Sequence, residues 1–230
     1  MNAPGITLFA LPHAGGMANG YLPLGRHLRS DILLDALDLP GHGRRLGQPL
    51  LRSIPALAAG LLDELAPRLS APYAILGHSM GALVGLEMCR AAALAGLPLP
   101  RRLIVSGCAA PGHSGLPPDL PDRPAPRFWE AIRQFGGLPD EVLAEPEILE
   151  LFEPVLRADL QAVADYRPAG LGPLPLAISV LAGRDDRLTQ GRLAAWQDET
   201  GLPVDWRSFD GGHFYLFQHL AAVAALVNAL

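Results

Sequence analysis

Cysteine is scarce: Cys89 and Cys108 are the only two, they show no metal-ligand spacing, and they read as small buried hydrophobes in a protein of the reducing cytosol. An excess of positive charge is missing as well. Eighteen basic residues stand against 23 acidic ones, a formal net charge of -5, and they are spread along the chain, so there is no basic stripe of the kind nucleic acid demands. No apolar run reaches the roughly 18 residues that a membrane span needs. The opening MNAPGITLFALPHAGG has no positively charged stretch ahead of its short apolar segment, so neither export nor a membrane span is expected. There is no internal repeat, nucleotide-binding loop or metal-ligand cluster, and no cofactor is expected.

What remains is 230 residues with 50% apolar content, enough to build the core of one domain with an insertion. Short apolar runs alternate with longer stretches of helical period. ITLFAL (6–11), ILLDALDL (32–39), YAILG (73–77), RLIVSG (102–107) and LAISVLAG (176–183) read as buried parallel strands. SIPALAAGLLDELAPRL (53–69), with a capping serine and Pro55 near its start, and the stretch from Ser79 to about Ala95 read as helices. Strand and helix taking turns predicts a mostly parallel α/β sheet with helices on both faces and ligands beyond the carboxyl ends of the strands.

The alternation stops after Cys108. A proline cluster, PGHSGLPPDLPDRPAPRF (111–128), rules out a regular element there, and residues 128–166 read as several short amphipathic helices broken at Gly136, Gly137, Pro139, Pro146 and Pro154. The expected division is a core of 1–110 and 167–230 with a helical lid of 111–166 inserted into it.

GHSMG (77–81) fits G-x-S-x-G, with a strand pattern before it and a helical pattern after it. A nucleophile on a tight strand-to-helix turn leaves no room for side chains two positions either side, which accounts for Gly77 and Gly81. Ser79 needs a base and the base needs an orienting acid. LAGRDDRLT (181–189) and FDGGHFYLF (209–217) supply them after strand-like segments, in the chain order Ser, Asp, His. His213 is the candidate base. Asp186 is the candidate acid, with the adjacent Asp185 as the alternative. Among the other histidines, His27 and His219 lie in helical stretches, His42 and His113 in loops with no acid in pattern, and His78 is expected to point away from the Ser79 hydroxyl. LPHAGG (11–16), closing the first strand, offers the amide of Ala14 as one oxyanion donor beside that of Met80, and His13 is expected to brace this loop.

Together PHAGG, PGHGRR, GHSMGALVGLEM, LRADLQAVADYRP and GGHFYLF resemble the type II thioesterases that accompany nonribosomal peptide and polyketide synthases, over essentially the whole chain. The resemblance implies an α/β-hydrolase fold, a triad of Ser79, Asp186 and His213, oxyanion donors at Ala14 and Met80, and a serine hydrolase that clears acyl groups from the phosphopantetheine arm of acyl or peptidyl carrier proteins. Phosphopantetheine belongs to the substrate. One departure is His42 in PGHGRR, where members often carry arginine. Phe128, Trp129, Phe135 and Leu138 are the lid residues expected to roof an acyl pocket. Arg44, Arg45, Arg101 and Arg102 are candidates for meeting an acidic carrier protein, and a cytoplasmic monomer is expected. A stand-alone carboxylesterase or lipase, and a hydrolase fold used only for binding, are the competing readings.

Overall fold

A computed structural model describes residues 5–136 and 145–230. Six strands, β1 (Ile6–Leu11), β2 (Ile32–Ala36), β3 (Tyr73–His78), β4 (Leu103–Ser106), β5 (Ile178–Gly183) and β6 (Asp205–Phe209), form one sheet in the order β2-β1-β3-β4-β5-β6. Every neighbouring pair is parallel. All six carboxyl ends therefore share one edge.

The two faces are read off the strands with a period of two. Phe9, Leu11, Ile75, Leu103, Val105, Ile178 and Val180 join one apolar cluster, while Ile6, Leu8, Ala10, Ala74, Leu76, Ile104 and Leu181 join the other. The first face is covered by α1 (Ile54–Leu65) and α2 (Met80–Leu94). Ser53 caps α1 by accepting a hydrogen bond from the Ala56 amide, and Ile54, Leu57, Ala58, Leu61, Leu62 and Leu65 make its buried stripe. The second face is covered by a 3-10 stretch (Ala18–His27) and the C-terminal helix, Leu220–Asn228.

The lid differs from its expected form. α3 (Ala125–Phe135) begins three residues before Phe128, because Pro124 and Pro126 sit where a missing amide hydrogen is harmless, at the helix start. α4 (Pro146–Asp165) is one helix of 20 residues running through Pro154, not a series of short ones. Pro146 opens it. Pro154 removes one internal hydrogen bond, but Leu156, Ala158, Leu160 and Ala162 beyond it are buried, and that packing outweighs the loss. With Leu120, Phe128, Ala131 and Ile132, residues Leu156 and Leu160 give the lid an apolar core of its own. The C-terminal helix is designated α5. Among the described residues, no helix is long and apolar enough to cross a membrane.

Candidate active site

β3 ends directly in Ser79, whose backbone stands at φ 54° and ψ -120°, and among the described residues Ser79 alone of the non-glycines has positive φ. The turn is held by the Ser79 amide donating to the Ser106 carbonyl at 2.7 Å. It is also tightly enclosed. A Cβ on Gly77 would lie 2.3 Å from the Gly81 carbonyl oxygen, a contact no side chain tolerates, so the glycine is required by backbone on the far side of the turn.

β5 and β6 deliver the partners to the same sheet edge. His213 Nε2 is 3.0 Å from Ser79 Oγ, and His213 Nδ1 is 2.9 Å from Asp186 Oδ2. The Asp186 side chain is fully buried and its other oxygen accepts the Leu188 amide at 3.0 Å. Asp185, the alternative acid, is exposed, and it is Asp186 that reaches His213. Met80 opens α2, whose first-turn amides have no partner within the helix and face the serine with the positive end of the helix dipole.

His13 to Gly16 form a tight turn closed by the Gly16 amide donating to the His13 carbonyl at 2.8 Å. His13 Nδ1 lies 2.9 Å from the Ala14 carbonyl. Burial among the rings of His78, Phe214 and Phe217 pushes His13 down to about 4, so the ring is neutral and braces the turn as a donor. His78 points away from the serine, with Nδ1 3.0 Å from Ser106 Oγ, which is in turn 2.7 Å from the Tyr215 hydroxyl. Burial holds the His78 pKa well below the ordinary value. Both buried cysteine thiols are pushed up by desolvation, which leaves them inert.

Residues 6–230 match the family model described as "Thioesterase domain". The chain belongs to the thioesterase family. It is 29% identical over 218 residues to the gramicidin S biosynthesis protein GrsT of Aneurinibacillus migulanus, covering 94% of this chain and 85% of that protein. It is 33% identical to thioesterase PikA5 of Streptomyces venezuelae, covering 92% and 75%. The solved structure of ClbQ from the colibactin NRPS/PKS pathway superposes with a TM-score of 0.91 at 29% identity, over 98% of this chain and 96% of that one. The fold is that of the α/β-hydrolases.

In this thioesterase two cavities meet at Ser79 and His213. The larger, about 260 Å³, runs under the lid and is walled by Ile132, Phe135, Phe152, Leu156, Leu160 and Phe217. The smaller, about 130 Å³, passes Gly107, Cys108, Pro111 and Tyr166 to the exposed Arg167. Of the lid residues expected at the acyl pocket, Phe135 lines the larger cavity. Phe128 and Trp129 do not. Phe128 is fully buried in the lid's own core beneath the Arg157 guanidinium, 4.1 Å from the ring centroid, and Trp129 donates to Glu153 at 3.0 Å. Both side chains are spent on contacts with α4. Leu138 lies outside the described residues. The residues that take their place, Phe152, Leu156 and Leu160, recur at every fourth position of α4, a helical stripe that was present in the sequence to be found.

The expectation that His42 lacks an acid is also corrected. His42 Nε2 lies 2.8 Å from Asp159 Oδ2, both side chains being buried. The two residues are 117 positions apart, so no local pattern links them. Arg101 and Arg102 precede β4 and stand at the amino edge of the sheet, opposite the site, where they reach the Leu230 carbonyl and Ser179. Arg44 and Arg45 follow β2 on the site's side, paired with Asp38 and Glu64.

Proposed function

We propose that this thioesterase hydrolyses acyl groups from the phosphopantetheine arm of carrier proteins through an acyl-serine intermediate. The observation that carries the reading is the unbroken line of hydrogen bonds from Asp186 through His213 to Ser79, which ends where an apolar cavity and a second passage meet. Such a meeting point suits a substrate with an acyl chain on one side of its reacting carbon and a long thiol on the other.

Ser79 Oγ attacks the thioester carbonyl while His213 Nε2 takes the hydroxyl proton. Asp186 holds the Nδ1 proton and stabilises the imidazolium. The carbonyl oxygen, now negative, lies between the amides of Ala14 and Met80. Collapse breaks the carbon–sulfur bond, and the thiolate leaves with the proton from His213. A thiol of pKa about 8.5 asks less of that general acid than an amine does. Water, deprotonated by His213, then attacks the acyl-serine and releases the carboxylic acid and the free serine. The three side chains, the two amides and water suffice for these steps, and the enzyme acts as a cytoplasmic monomer that meets acyl or peptidyl carrier domains.

The test compares hydrolysis of one acyl group presented on a carrier protein, on a short pantetheine mimic and as an oxygen ester. The reading expects kcat/KM to fall in that order. Faster turnover of the oxygen ester than of the carrier thioester overturns it in favour of a stand-alone esterase, and inertness on all three leaves a binding role.

A further inference from the structure

Asp159 sits on α4 within the lid, yet its carboxylate is committed to the loop after β1. Oδ2 accepts the Gly15 amide at 2.7 Å and also faces His42 Nε2 at 2.8 Å. The other ring nitrogen of His42, Nδ1, lies 3.0 Å from the Pro40 carbonyl. A neutral imidazole has one N–H, and here both nitrogens face acceptors, so the geometry calls for the imidazolium. The side chains of His42 and Asp159 are 2% and 1% exposed, which makes this a desolvated ion pair with each charge hydrogen-bonded.

The grip falls on the peptide next to the one that matters for catalysis. The His13–Ala14 peptide has its carbonyl held by the Gly16 amide, so the Ala14 N–H, antiparallel to that carbonyl, points out of the turn. The Ala14–Gly15 peptide is held at both ends, its carbonyl by the His13 ring and its N–H by Asp159. Freed of Asp159, the Ala14–Gly15 peptide loses one of its two anchors, and Ala14, which joins it to the His13–Ala14 peptide, can shift and take the donor off its aim. Gly15 has φ +71°, a conformation that gives little resistance in a glycine.

We propose that Asp159 and His42 are positioning residues that aim the Ala14 amide at the developing oxyanion, and that they tie this aim to the seating of lid helix α4. The inference rests on the reading of Ala14 as an oxyanion donor in thioester hydrolysis. Neither residue lines the two cavities that meet at Ser79. The titratable groups facing His42 are Asp159 from α4, Asp38 from the segment after β2 and His13 from the loop after β1. Burial alone lowers the proton affinity of His42, but the hydrogen bond and charge of Asp159, the Pro40 carbonyl and the charge of Asp38 outweigh it, and its pKa is raised above 6.5. The imidazolium is thus kept at neutral pH and lost as the pH climbs through the raised value.

The experiment measures kcat and KM for an acyl-pantetheine thioester from pH 6 to about 9.5 for wild type, Asp159→Asn, His42→Gln and His42→Arg, with folding followed by circular dichroism. Deleting an oxyanion donor outright lowers kcat by about 10²–10³, so a mis-aimed one is expected to lose about 10- to 100-fold in Asp159→Asn and His42→Gln, with KM changed less than about threefold. His42→Arg, whose guanidinium keeps its charge and several donors, is expected to rescue kcat and to hold it at alkaline pH, where wild type declines. Folded Asp159→Asn and His42→Gln with wild-type kcat, or a loss confined to KM, would overturn the proposal. Should those two fail to fold, His42→Arg decides: an alkaline decline identical to wild type overturns it, and a flat limb supports it. Wild type inert on the thioester would instead overturn the functional reading itself, an outcome visible before any variant is compared.

Discussion

A Cβ on Gly81 would lie 2.3 Å from the Leu11 carbonyl oxygen, which means that the start of α2 and the end of β1 touch backbone to backbone. This contact brings the His13–Gly16 turn alongside Ser79. Gly81→Ala has to push the two apart, and the strain is expected at the upper end of the about 1–3 kcal/mol seen for overpacked sites. The activity loss is expected to exceed what stability explains, because the turn moves with Leu11. Thermal melting and kcat, measured together, check this; a variant with wild-type kcat would separate the turn from the chemistry.

Asp186→Asn tests how the base is oriented. The Leu188 amide donates to one oxygen of Asp186, so an asparagine there keeps its oxygen toward Leu188 and turns its NH2 group to His213. His213 then presents a lone pair at Nδ1 and a proton at Nε2, the wrong tautomer to receive the Ser79 proton. A fall of about 10⁴ in kcat is expected, with little change in folding. A loss below about tenfold would show that the Asp186 contact does not orient the base.

Arg90 on α2 bridges Glu87 at 2.7 Å and Glu199, and the Tyr166 hydroxyl donates to Glu87 at 2.6 Å, so one buried cation ties α2 to the segment leaving the lid. Arg90→Met leaves two nearby carboxylates buried without compensation. Removal of one partner from such a pair costs about 3–5 kcal/mol, or about 10 °C in Tm for a chain of this size. Adding Glu87→Gln to Arg90→Met is expected to recover part of the loss, and calorimetry of the two variants measures it.

Acid weakens the fold through two histidines near the site. His13 and His78 both have lowered pKa values, mainly through burial, so the folded state binds fewer protons than the unfolded chain below pH 6.5. Their contribution to stability is present above 6.5 and lost as the pH falls. For His13, going from 6.5 to about 4, the loss is on the order of 3 kcal/mol. Chemical denaturation between pH 7 and pH 4 is expected to show a decline that is shallower in His13→Gln; equal slopes would contradict it.

Much of the site could be read from residues close together in the chain. ITLFAL carries a strand over the same six residues in the sequence reading and in the fold, because the buried parallel strand is a continuous apolar run. The glycines of GHSMG announced a turn with no space around it. What could not be read were choices made by tertiary packing: whether Phe128 or Phe152 faces the cavity, since both lie on amphipathic helices, and whether Pro154 ends a helix that buried neighbours hold together. The His42–Asp159 pair escaped for another reason. It joins helix α4 to the loop after β2 across 117 positions of chain, and neither residue carries a local signal of the other.

The central claim is that Ser79 is the nucleophile of thioester hydrolysis, and single-turnover release of an acyl group from a phosphopantetheinylated carrier protein by wild type and Ser79→Ala tests it most directly. Ser79→Ala is expected to fall by about 10⁶, keeping only the residual catalysis of the oxyanion donors and of binding, while its fold and melting temperature stay those of wild type. Retention of more than about a tenth of the wild-type rate in the folded variant would contradict it.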